Sequence, residues 1–354
     1  MHVSVQRPDA AHTSPISVAE ATQADERAWE TYVTAHPEST GYHSWGWQRV
    51  FKRAFGHDSI YLVAKHDGRI VGALPLVFIK SSIFGRSLTS MAFLNYGGII
   101  ADTEAVGRAL LSAAADTARR LGCHHVELRH FERQFPDLPC REHKVTMCLP
   151  LEGVTWDTLD RKVRNQIRKA QKSELTAIRG GRELLDEFYA VFARNMRDLG
   201  TPVYSRRLFE GVLAQFPERA ALHVVRLGSQ AVAGGLTFRT DGRVEVPWAS
   251  SVRDYNALCP NHLLYWSVIE SAIGSGATLM DFGRSTPNEG TFKFKEQWGA
   301  RPVPLHWEYV LPGGGTLPAI AAGNPKFRLM VEGWKRLPLS VASRLGPSIV
   351  RGIP

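Results

Sequence analysis

The chain has 354 residues, a formal net charge of +9, and 44% hydrophobic against 22% charged residues. This is the composition of a globular protein too long for one small core, and it points to two domains. No apolar run approaches the roughly 18 residues needed to cross a bilayer, so a membrane-spanning helix is excluded, and the positive balance favours anionic partners: nucleic acid, phosphorylated metabolites or an anionic membrane face.

MHVSVQRPDAAHTSP (1–15) reads as disordered and lacks the charged start and apolar block of a signal peptide. Helical patterns follow at about 23–35 and 45–55. SIYLVAKH (59–66) and RIVGALPLVFIK (69–80) read as strands around a turn at Asp67-Gly68. TEAVGRALLSAAADTARRLG (103–122) has the spacing of an amphipathic helix closed by Gly122, and HHVELRH (124–130) is the strand after it. Cys123, Cys140, Cys148 and Cys259 show no metal spacing, and His124, His125 and His130 lack a ligand set, so a reduced, cytoplasmic setting without metal is expected.

WDTLDRKVRNQIRKAQKSE (156–174) places Trp156, Leu159, Val163, Ile167 and Ala170 on one helical stripe. Its other surface is basic, either a solvated face or a guide for a phosphate-bearing substrate. The earlier order then recurs: a hairpin over 221–227 and 230–240, a strand over 244–251, a helix over 261–276 and a strand over 278–284. GRIVGALPLVF (68–78) superposes without gaps on GSQAVAGGLTF (228–238), and LGCHHVELRH (121–130) aligns with SGATLMDFGR (275–284). The shared order points to an internal duplication. The expected class is α/β (α+β), two domains each with a mixed, mainly antiparallel sheet flanked by helices, set face to face around a ligand cleft. The divisions are 1–15, 16–152, 153–312 and a basic amphipathic tail over 313–354.

The chemistry is sought at the end of the strand TLMDFGR, where open sheets place ligands. Asp281 alternates with buried positions, Gly283 allows close backbone approach, and Arg284 offers a fork of donors for a carboxylate or phosphate. Ser285, Asn288 and Glu289 follow in the loop, then Lys293 and Lys295 among Phe292, Phe294 and Trp298. On a helix the two lysines lie about 200° apart and cannot both face one pocket, whereas on extended chain both point the same way; Lys295 is read as the functional cation. Asp281 or Glu289 is available to take a proton. Asn195, Arg197 and Tyr204 form a second candidate wall, read equally as a helix–turn–helix connection. Trp248 either packs on substrate or fills core, and Asn261 caps a helix or touches an anion.

FGRSTPNEGTFKFKEQWGA, YNALCPNHLLYWSVIE (255–270) and RDLGTPVYS (197–205) resemble the FemAB-like proteins, a tandem-domain branch of the GNAT acyltransferases that includes the CelD-like group. The tail over 324–347 resembles the subgroup found with PEP-CTERM/exosortase and exopolysaccharide loci. The resemblance implies two GNAT-like domains and transfer of an acyl or aminoacyl group to an amine on a peptidoglycan, envelope or exopolysaccharide precursor. Acyl-CoA and aminoacyl-tRNA are the donors it allows. Acetyl-CoA users carry a glycine-rich R/Q-x-x-G-x-G/A turn, and neither DTEAVGRA (102–109) nor CPNHLLYW (259–266) supplies one. Two alternatives stay open, a tRNA- or nucleic-acid-binding module and a non-catalytic scaffold of the same fold. The tail mixes apolar and basic residues, as in an interfacial helix broken at Pro338 or one packed on the body, which leaves peripheral contact with the inner membrane open.

Overall fold

The computed structural model describes residues 15–81, 84–317 and 325–353, so most of the amino-terminal stretch read as disordered lies outside the described residues. The first half runs β1 (Ser17–Glu20), α1 (Glu26–Ala35), α2 (Trp47–Phe55), β2 (Asp58–His66), β3 (Arg69–Ser81), β4 (Gly85–Ser90), β5 (Ile100–Ala101), α3 (Glu104–Arg120), β6 (His125–His130) and β7 (Cys140–Pro150). The second half runs α4 (Arg161–Lys172), β8 (Leu175–Gly180), α5 (Leu185–Leu199), α6 (Arg206–Gln215), β9 (Ala220–Leu227), β10 (Gln230–Thr240), β11 (Arg243–Ser251), α7 (Pro260–Gly274), β12 (Leu279–Ser285), α8 (Gly290–Glu296) and β13 (Arg301–Val310). The helices α9 (Pro325–Lys335) and α10 (Leu339–Val350) close the chain.

The duplicated order is present, and the third strand of each copy lies parallel to the strand after its helix: β4 beside β6 and β11 beside β12. The copies are not face to face. Among the described residues all strands join one sheet, in which the last strand of each copy crosses over. β7 pairs with β12 of the second copy, β13 pairs with β6 of the first, and the two crossed strands pair with each other. The exchange leaves no open sheet edge between the halves. β13 is absent from the sequence reading because Pro302 and Pro304 argue against a central strand. Both prolines fall where β13 borders β7 alone; its pairing with β6 begins at His306.

α3 covers one sheet face of the first half, packing Val106, Leu110 and Ala114 on Leu62, Leu74 and Leu128. α4 and α7 share a second core, and the stripe read from the sequence supplies its buried Val163, Ile167 and Ala170. A third core binds the halves together: Trp47 from α2 packs its ring 5.1 Å from Phe216 and 5.3 Å from Phe238. With this aromatic core and the exchanged strands, the two halves behave as one packing unit, which holds the end of β12 against residues of the first half.

Candidate active site

Gly283 bends β12. Its φ is +79°, and a Cβ there would lie 2.8 Å from the Val246 carbonyl oxygen, so only glycine fits. The β12–β7 register shifts between Asp281 and Arg284. The carbonyls of Gly283 and Arg284 accept hydrogen bonds from Lys295 Nζ at 2.8 and 3.1 Å. α8 delivers that lysine because Phe292 and Phe294 pack against the second core, while Lys293 stays exposed. Lys295 is only 7% exposed. Burial pulls its pKa down to about 8, with Asp281 opposing and Arg284 adding to the effect. An ammonium group has three donors, and the strand end uses two of them.

Asp281 is fully buried and accepts from Gly283 N at 2.7 Å, from the Tyr96 hydroxyl at 2.9 Å and from Thr146 Oγ1. Glu245 lies in register beside it on β11. Burial and the Asp281 charge push Glu245 up to about 7, against the pull of Arg243. The Tyr42 and Tyr96 hydroxyls are close to Glu245, but neither carboxylate oxygen has a well-formed hydrogen bond among the described residues.

The Arg284 guanidinium sits over the Trp307 ring, 5.3 Å from its centroid. Arg129 lies over the same ring at 4.3 Å and is paired with Glu127 at 2.7 Å. Arg284 has no carboxylate or hydrogen-bond partner among the described residues. Burial and the neighbouring Arg129 pull its pKa down to about 10, although the side chain is not sealed from solvent. Lys144 donates to Thr286 Oγ1 at 2.6 Å, and burial with Arg284 lowers its pKa as well. Asn95 Nδ2 and Ser285 Oγ are buried without partners among the described residues. Cations and donors thus exceed acceptors here, the imbalance expected where an anion or a developing oxyanion is to be held.

The other residues read from the sequence divide. Tyr204 is close enough to Arg284 and Arg129 that their charges oppose the burial-driven rise of its pKa. Asn195 donates to Ser250 Oγ at 3.0 Å. Trp248 is core, edge-on to Phe209. Asn288 and Glu289 are exposed, Glu289 at the N-cap of α8 without a capping side-chain bond. Asn261 does not cap α7: Cys259 holds that position with Pro260 behind it, and Asn261 instead donates to Ser251 Oγ at 2.9 Å. Arg197 turns to Asp198 and the Leu337 carbonyl and so tethers the tail.

A cavity of about 750 Å³ opens between the halves, lined by Arg129, His130, Arg219, Arg239 and Arg243 together with Tyr96. It does not border Lys295. Tyr96 is shared, lining the cavity and donating its hydroxyl to Asp281, while Arg243 lies over the Tyr96 and Phe131 rings. Elsewhere Cys140, Glu142 and His306 bring three metal-type ligand atoms within 4.8 Å of one another, with no residue of the Lys295 site among them. Asn95, Tyr96, Arg129, Thr146 and Glu245 were not read from the sequence. The one local signal was the glycine pair after Asn95-Tyr96; Thr146 reaches the site on the exchanged β7, Glu245 on the neighbouring β11 and Arg129 on β6 of the other half.

Residues 159–296 match the family described as acetyltransferase (GNAT) domain. Comparison with curated proteins gives no match. Among solved structures, FemX aligns with a TM-score of 0.64 at 15% identity, over 82% of this chain and 96% of its own. L-PGS from Bacillus licheniformis aligns at 0.58 and 13%, over 90% and 98%. A tandem GNAT protein from the clavulanic acid biosynthesis pathway aligns at 0.57 and 11%, over 85% and 100%. The chain therefore has the tandem GNAT fold, with a GNAT acetyltransferase domain recognised in its second half.

Proposed function

We propose that the protein is an N-acyltransferase or aminoacyltransferase that passes an acyl group to an amine on an anionic envelope, peptidoglycan or exopolysaccharide precursor. The observation that carries this reading is Lys295, a buried ammonium held on two strand-end carbonyls with one donor left over, beside the unpaired Arg284. The neutral amine attacks the donor carbonyl. The free donor of Lys295 stabilises the oxyanion as the C–N bond forms, and the C–O or C–S bond to the donor then breaks. The proton lost by the amine passes to the leaving oxygen or sulfur, directly or through water. Asp281, enclosed by three donors, orients the strand end, and Arg284 with Lys144 holds a phosphate or carboxylate. The arginine-lined cavity takes the bulk of the acceptor, one tyrosine away from Asp281.

For the donor, an aminoacyl ester on tRNA is supported over coenzyme A. The first turn of α7 opens with Pro260, which has no amide to offer a pyrophosphate, and the Asn261 side chain is engaged with Ser251. The basic face of α4 packs beside that turn: Gln166 contacts Cys259, and Lys169 and Lys162 act electrostatically on Cys259 and His262. The same face favours, as a second reading, simple tRNA binding. Turnover separates the two. Labelled aminoacyl-tRNA and acyl-CoA are each offered with lipid-linked and nucleotide-linked glycan acceptors. Lys295→Ala is expected to lower transfer by about 10²–10³-fold, while Lys293→Ala stays within about two-fold of wild type because its side chain faces solvent. Equal rates for wild type and Lys295→Ala would remove the assignment.

A further inference from the structure

We propose that α9 and α10 form a docking surface for an anionic lipid bilayer. α10 packs on the body through Ala342, Gly346 and Val350, and a Cβ on Gly346 would lie 2.7 Å from Val203 N, so the contact is close. The face beside that stripe is apolar and open. Val341, Leu345 and Ile349 recur every four residues, each at least 38% exposed, and on α9 Leu329 and Met330 are 75% and 62% exposed. Six of the ten large hydrophobic side chains exposed among the described residues lie on these two helices. No other region among the described residues concentrates them in this way.

The same segment, 325–353, holds six basic residues and one acidic one. That acid, Glu332, accepts from Lys335 at 2.6 Å. Arg336 and Arg344 are exposed and have no acidic partner among the described residues. An apolar ridge flanked by unpaired cations matches the chemistry of a bilayer surface, where side chains enter the acyl boundary and guanidinium groups meet lipid phosphates. A second copy of the chain fits less well, because an isologous contact would bring together two segments that each carry six basic residues and one acid. No helix among the described residues is long and apolar enough to cross a membrane, so the contact is peripheral. This inference is independent of the transfer reading, since it uses no residue of the Lys295 site.

Flotation of the full-length protein with vesicles tests it. Binding is expected to mixed phosphatidylglycerol–phosphatidylcholine vesicles, about ten-fold weaker to pure phosphatidylcholine and weakened again by high salt. Leu345→Glu and the double variant Arg336→Glu/Arg344→Glu are each expected to lower binding by at least about ten-fold with thermal unfolding unchanged, because these side chains face solvent. Absence of binding to the anionic vesicles would overturn the proposal, as would binding unaffected by both variants. So would a dimer in solution, measured by light scattering, that Leu345→Glu dissolves.

Discussion

The two halves place an acid at the same point of the same fold and treat it in opposite ways. Glu127 on β6 and Asp281 on β12 occupy equivalent positions in the gap-free alignment of their strands. In the first half the charge is closed. Burial would raise the Glu127 pKa, yet Arg129 and the Tyr309 hydroxyl hold it below the ordinary carboxylate range. Arg129 spends its remaining donors on the Leu94 carbonyl. Among the described residues of the second half Asp281 takes only neutral hydrogen-bond donors, Arg284 is left without an acid, and a lysine arrives on a helix that has no counterpart among the described residues of the first half. A satisfied ion pair serves structure. The unsatisfied charges mark the half where we propose that a ligand completes the charge balance.

The contrast between the halves predicts unequal responses to substitution and to pH. The largest effect is expected from Glu127→Gln, which strands Arg129 at 1% exposure and is expected to cost about 3–5 kcal/mol in urea unfolding. Asp281→Asn, whose partners are neutral, is expected to cost about 1–3 kcal/mol. Equal costs would erase the distinction between the halves. Next, Arg129→Met is expected to destabilise by about 3 kcal/mol by leaving Glu127 alone. Arg284→Met is expected to stay within about 1 kcal/mol of wild type or to gain stability, while losing transfer activity. A large stability loss at Arg284 would show that it has a structural partner after all.

The smallest effect concerns pH. The folded pKa of Lys295, about 8, lies below the ordinary 10.5, so the folded chain releases this proton before the unfolded chain does. Its contribution to stability therefore rises between those two values, and Lys295→Met is expected to flatten the rise in a series of denaturation curves. Transfer activity is expected to fall over the start of the same window, as the ammonium is lost.

Much of the fold was legible because it is written in local patterns. The hairpin glycines, the period of 103–122 and the stripe of 156–174 each follow from nearest-neighbour geometry, and repetition of their order revealed the duplication. Of the site, Arg284 and Lys295 could be read as an anomaly, cations set among aromatics; helical spacing says that Lys293 and Lys295 diverge, and the fold shows which of them is buried. The wall of that site could not be read. Thr146 comes from the exchanged β7, Tyr96 comes with Asn95 from a loop and lies 185 residues before Asp281, and no local periodicity encodes a contact across such a separation.

Side-chain period and composition were enough for the helices over 23–35, 45–55, 103–122, 156–174 and 261–276, for seven of the strands, and for which half carries the unusual cations. Tertiary contacts alone settle that the halves share one sheet through exchanged strands, that among the described residues Arg284 lacks an acid while Arg129 has one, and that the tail turns apolar side chains outward. The reason is physical. Whether a charge is paired or an apolar residue covered depends on what distant chain segments bring within a few ångströms, and burial and Coulomb energies are properties of that arrangement.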